Sequence, residues 1–141
     1  MKKESTHIVT GYGNILISQR IRGLLIPLRD EELNLLEQSV IAEGIRDPIV
    51  VWKRSDNTRI LLDGHHRYEL AQKHGLNFQI TELEFETEND AVFWVLQNQV
   101  ARRNLTDEQR ALILGRLYNQ LKLRQGRPKG KLDNLSLFDD V

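Results

Sequence analysis

The stretch Leu61-Leu62-Asp63-Gly64-His65-His66-Arg67-Tyr68-Glu69-Leu70-Ala71 gathers an acid, a glycine, two histidines and an arginine over Asp63–Arg67. Its pattern predicts an apolar strand that ends in Asp63 and Gly64, with a helix starting at once. The N–H groups that open a helix lack intrahelical acceptors, and the helix dipole stands behind them, so such a turn attracts anions. Gly64 lets a ligand come close to the backbone. Arg67 falls in the first turn, where a guanidinium can hold phosphate oxygens through two parallel bonds. His65 and His66 add hydrogen-bonding groups that change charge near neutral pH. The chemistry is that of a phosphate cradle, and no GxxxxGK[ST] pattern accompanies it.

The same residues also admit a purely structural use. Gly64 can serve a tight turn, Arg67 can pair with Asp63, and both histidines can lie on the surface. Zinc fits poorly: adjacent helical residues point about 100° apart, and His66 and His74 are separated by about 12 Å along a helix axis. Neither spacing is that of an HExxH pair.

The elements that must position these groups follow from periodicity and breakers. Residues 1–13 are polar and read as loose, within a flexible segment 1–20. Strands are expected at Ile15–Ile17 and at Ile21–Ile26, the second ending at Pro27. Asp30-Glu31-Glu32 opens a helix with acids at the positive end of its dipole, and Gly44 closes it. Pro48–Trp52 reads as a buried strand, Ser55–Thr58 as a turn, and Arg59–Leu62 as the returning strand. A helix over His65–His74 stops at Gly75, and Phe78–Phe85 forms a further strand. Glu82, Glu84, Glu86, Glu88 and Asp90 begin in strand-like alternation, so the first of them are expected on a wet strand face. Thr87 caps a helix carrying Val92, Val95 and Leu96 inward. Thr106-Asp107-Glu108-Gln109 is a capping box, and the helix behind it presents Ala111, Leu114, Leu117, Tyr118 and Leu121. This order gives an α/β (α+β) fold, a small mixed sheet with flanking helices followed by a helical C-terminal part.

At 141 residues and 40% apolar, the chain has the length and composition of one ordinary core. No apolar run approaches the roughly 20 residues of a membrane helix, and no secretory signal is visible, so a cytoplasmic location is expected. The absence of cysteine excludes disulfides, thiolate catalysis and Cys-ligated zinc. The net charge is zero, but residues 99–131 hold nine bases against two acids, and the tail from Leu132 holds three acids. The basic stretch fits either a polyanion partner or a solvated helix.

Four ordered segments resemble the ParB/sulfiredoxin superfamily, and in particular the ParB N-terminal (ParB-like nuclease) domain. Asp63–Ala71 resembles its GxxR box. Ile26-Pro27 with the Asp30–Gly44 helix looks like the start of that domain. Arg46–Val51 is similar to its "QPIVV" strand, and Gln97–Leu105 to its "ENxQRxDL" box. The resemblance spans about residues 21–124 and implies a nucleotide, CTP or ATP with Mg2+, as ligand. By position, Gly64, His65, His66 and Arg67 would hold phosphates, with Arg102 and Arg103 adding charge. Asn98 would sit near the metal, and Pro48 and Ile49 near the base. Gln97 stands where the family has a magnesium-holding Glu, and an amide is the poorer ligand for a hard cation. The sulfiredoxin activity itself is excluded, because its catalytic Cys falls where this chain has His65.

The resemblance implies a module of plasmid or mobile-element partition, replication or regulation, with a homodimer expected from the family. DNA is an expected partner, either through Arg110, Arg116, Lys122 and Arg124 or through a further C-terminal domain, since no recognition-helix pair is visible here. No membrane partner is implied. Two other readings stay open. The Asp63–Arg67 segment also resembles the free serine kinases, which makes Asp63, His65 and His66 candidate catalytic groups for phosphotransfer or NTP hydrolysis. The third reading is a protein-interaction domain with a vestigial pocket. The expected division is a flexible 1–20, a ParB/sulfiredoxin-like domain over 21–105, a helix over 106–125, and a linker and tail over 126–141. In that tail, Leu132–Phe138 is amphipathic enough to dock.

Overall fold

The computed structural model describes residues 3–9, 15–102 and 105–126, with side chains for 15–102 and 105–122. The chain divides into two compact units. The first comprises residues 1–18 and 27–85, and the second 19–26 and 86–141. The helices Glu88–Val100 and Asp107–Gly126 both fall in the second unit.

The first unit is a mixed five-stranded sheet. Its strands are β1 (Lys3–Val9), β2 (Ile15–Leu16), β3 (Ile49–Lys53), β4 (Arg59–Asp63) and β5 (Phe78–Glu84), in spatial order β1-β5-β3-β4-β2. β1 runs antiparallel to β5, β5 parallel to β3, β3 antiparallel to β4, and β4 parallel to β2. Residues 3–9, expected to be loose, therefore supply an edge strand whose backbone pairs with β5 along its whole length. Polar composition hid it, because ladder bonds are backbone bonds that polar residues make equally well.

Two helices belong to this unit, α2 (Asp30–Glu43) and α3 (His65–His74), each ended by a positive-φ glycine, Gly44 and Gly75. On one sheet face Ile49, Val51, Leu61, Phe78 and Ile80 pack with Tyr68 and Ala71 of α3. Each such large side chain contributes about 1.5–3 kcal/mol on burial. Tyr68 and Phe78 meet edge to face, centroids 5.8 Å apart, which adds about 0.5–1.5 kcal/mol.

Glu82 overturns the wet-face expectation. It continues the Phe78–Ile80 face, is 7% exposed, and accepts a hydrogen bond from Arg59 Nε across β3. The arginine that makes its burial tolerable is distant in sequence, so alternation alone could not reveal it. Glu84, at the strand end, is exposed as expected.

The second unit contains α1 (Gln19–Arg22), α4 (Glu88–Val100) and α5 (Asp107–Gly126). The strand expected over Ile21–Ile26 is instead the helix α1 followed by turn bonds, Leu24 N–H to Ile21 O and Leu25 N–H to Arg22 O. No sheet neighbour serves this segment's outlying groups. Gln99, 3% exposed, accepts from Ile26 N–H at 2.8 Å and donates to Leu24 O at 2.9 Å. Leu24 and Ile26 then join Val92, Leu96, Ile113 and Leu117 in this unit's core. Both N-terminal caps are as read from sequence. Thr87 Oγ1 accepts from Asp90 N–H, and Thr106 and Gln109 exchange side-chain-to-backbone bonds of 3.0 Å.

Of the residues expected on the inner face of α5, Leu117 packs against the core, but the face turns elsewhere. Ile113 and Gln120 are fully buried, whereas Leu114, Tyr118 and Leu121 are 41–63% exposed. Among the described residues, no helix is long and apolar enough to cross a membrane.

Candidate functional site

The turn from β4 into α3 is built by three local devices. Val50 pairs with Asp63 while Val51 pairs with Leu61, so Leu62 is an extra residue at an irregularity in the ladder. Such bulges bend a strand and re-aim the residues after them; here Leu61 and Leu62 are both buried and the chain leaves the sheet at Asp63. Gly64 then adopts φ +98°, ψ +29° and stands at the N-cap of α3. Tyr68 N–H closes the first helical bond onto Gly64 O at 2.8 Å, which leaves the opening N–H groups outside the i→i−4 series.

Arg67 holds this turn against the start of β3. Its Nη1 donates to Asp47 O at 3.1 Å and to Pro48 O at 3.3 Å, and its Nη2 lies 3.4 Å from Asp63 Oδ2. The pairing with Asp63 weighed from sequence is thus present, and much of the guanidinium is engaged within the protein. A Cβ added to Gly64 would lie 3.2 Å from Ile49 Cγ1 and 3.1 Å from Arg67 Nη2. The structure therefore brings Pro48, Ile49, Asp63, Gly64 and Arg67 together. Asp47 was missed, because it contributes a backbone carbonyl and residue type carries no signal for that.

The histidines differ. His65 is 4% exposed, so it is not a surface residue, and its backbone opens the helix. His66 is partly exposed, with Nδ1 3.7 Å from Glu69 Oε1. His74 lies at the far end of α3, where Glu37 Oε2 of α2 meets both His74 Nε2 and Lys73 Nζ at 2.7 Å. Those two bonds hold the Glu37 carboxyl below its ordinary range. Among the described residues, no group of three or more His, Asp or Glu is placed to hold a metal ion. A shallow hollow of about 270 Å³ lies at the other end of β3, lined by Lys53, Arg54, Ser55, Asn57, Glu84 and Phe85. It contains none of the residues singled out from sequence.

The remaining candidates lie on the second unit. Asn98 is half-buried on α4, and Arg102 is exposed just beyond that helix; Arg103 lies outside the described residues. Arg110 donates to Val100 O at 2.6 Å and to Arg102 O at 3.1 Å, so its charge caps the carbonyl end of α4. Arg116 donates to Leu24 O at 3.0 Å. Two of the four arginines and lysines assigned to DNA thus hold backbone carbonyls. Lys122 Nζ lies 5.8 Å from the Tyr118 ring centroid, and the Arg124 side chain lies outside the described residues.

No family model matches the sequence, and no curated protein matches it. The fold, however, has solved counterparts. A Pnob8-like ParB-N domain matches 89% of this chain with a TM-score of 0.73 and 16% identity. The C-terminally truncated chromosome-partitioning protein ParB of Caulobacter crescentus, complexed with CTP-γ-S, matches 89% of it with a TM-score of 0.54 and 19% identity. The match takes in 49% of the first of those chains and 81% of the second, so this chain spans about half the length of the Pnob8-like one.

Proposed function

Starting from a ParB N-terminal domain fold, we propose that this protein is a ParB-like module that binds a nucleotide through its phosphates at the Gly64–Arg67 turn. It would act in the partition, replication or regulation of a plasmid or other mobile element. The observation that carries the reading is Gly64. A left-handed glycine at the N-cap of α3, packed too closely against Ile49 and Arg67 to take a side chain, carries the chain directly from strand into helix beside the Arg67 guanidinium.

In this reading the opening amides of α3 are the anion donors. Arg67 supplies positive charge and fixes the turn through Asp47 and Pro48, and the partly exposed His66 stands ready to assist. A neighbour of this fold carries CTP-γ-S, which supports a nucleoside triphosphate as the ligand class. Magnesium arriving with a nucleotide is held largely by phosphate oxygens and water. It therefore needs no multi-carboxylate cage.

The test is calorimetric titration of CTP, ATP and GTP with Mg2+ into the full chain, followed by Arg67→Lys and Gly64→Ala. Lysine keeps the charge and loses the planar fork, so Arg67→Lys is expected to weaken binding by more than about tenfold, or roughly 1.5 kcal/mol. Absence of nucleotide binding, or binding unchanged in both Arg67→Lys and Gly64→Ala, overturns the assignment. Turnover of ATP that requires an added hydroxyl acceptor would instead favour the phosphotransfer reading.

A further inference from the structure

The outer face of α5 is apolar and uncovered among the described residues. Leu114, Tyr118 and Leu121 fall at i, i+4 and i+7 and are 48%, 63% and 41% exposed. Ala111 is exposed one turn earlier, and a Cβ placed on Gly115 would meet no atom within 4 Å. Meanwhile Ile113 and Leu117 serve the core. A contiguous apolar stripe of this kind marks a contact surface.

We propose that the occupant is the chain's own segment Leu132–Phe138, folded back onto α5. Three observations favour it. Leu132, Leu135 and Phe138 recur at i, i+3 and i+6, the spacing that puts them on one helical face. As a helix they would span about 9 Å, close to the roughly 10 Å between Leu114 and Leu121. The intervening Arg127-Pro128-Lys129-Gly130-Lys131 can reach about 17 Å when extended, and its proline and glycine suit a reversal. Charge also matches. The tail carries Asp133, Asp139 and Asp140 without a base, and Lys122 lies beside Tyr118 on the stripe. A tail running back from Leu121 towards Leu114 brings Asp133 to the Lys122 end.

The lack of native cysteine makes a direct test simple. Ser136→Cys in the full chain is spin-labelled, and the methyl signals of Leu114 and Leu121 are followed by NMR. The reference is the same labelled chain carrying Leu135→Asp and Phe138→Asp, in which the tethered tail stays undocked. Docking predicts methyl signals several-fold weaker than in the reference, recovering when the label is reduced. Equal intensities in the two chains overturn the proposal. So does attenuation seen only when labelled and isotope-enriched copies are mixed, which would place the tail on another copy. A dimer that Leu114→Asp dissociates, and that the tail substitutions leave intact, would give the stripe to a second copy instead.

Discussion

Replacing Gly64 by alanine puts a number on the turn. Its φ of +98° lies roughly 40° beyond the left-handed well that an L-residue occupies, and even that well costs about 1–2 kcal/mol. The added methyl also lands 3.2 Å from Ile49 Cγ1. Ile49 is fully buried between β4 and β5 and cannot retreat, and the facing Arg67 is tied to two carbonyls. Gly75 provides the matched control: its φ is +65°, and a Cβ there meets nothing within 4 Å. Gly75→Ala should therefore cost about 1 kcal/mol, the left-handed penalty less the gain from a stiffer unfolded chain. Gly64→Ala should cost about 2–4 kcal/mol, the same penalty plus off-well strain and overpacking. Urea unfolding of both variants reads the difference directly as a shift in midpoint at constant slope. If Gly64→Ala is no more destabilising than Gly75→Ala, the crowding is not real. The turn then does not require glycine, whatever the nucleotide titration shows.

Other substitutions probe the pairings that hold each unit. Arg59→Met leaves the buried Glu82 carboxylate without this partner and should cost about 3 kcal/mol, most of it regained by adding Glu82→Leu; a double-mutant cycle in urea checks it. Gln99→Leu should cost about 1–3 kcal/mol, because the Ile26 N–H loses its acceptor inside the protein, and hydrogen exchange at that amide should quicken. For Glu37 the folded-state pKa is lowered by Lys73 and His74. Its contribution is therefore present above the unfolded-state value and is lost as pH falls through the folded one. Stability profiles of wild type and Glu37→Gln should accordingly converge below about pH 4 and separate above it.

The residue sequence by itself determined the elements whose signals are local. Gly44 and Gly75 end α2 and α3, Thr87 starts α4, and the Thr106–Gln109 box starts α5. Each depends on hydrogen bonds between residues three to five apart, so a short window of sequence contains both partners. The Asp63–Arg67 turn was legible for the same reason: strand, glycine and helix succeed one another directly. Its Asp63–Arg67 approach is an i,i+4 pair.

Only the tertiary structure decided which groups these elements bring against one another. Arg67 meets the Asp47 carbonyl 20 positions away, Arg59 reaches Glu82 over 23, Gln99 binds Ile26 over 73, and Arg116 binds Leu24 over 92. Residue type does not announce such partners, because carbonyls and amides are common to every residue and chain folding alone chooses among them. That is why Ile21–Ile26 read as a strand and Glu82 as a wet residue. It is also why polar residues 3–9 read as loose, when a sheet edge had backbone groups to pair with them. The face of α5 was decided in the same way. Its sequence is apolar on more than one side, and only packing against α4 made Ile113 the core and left Leu114, Tyr118 and Leu121 outside.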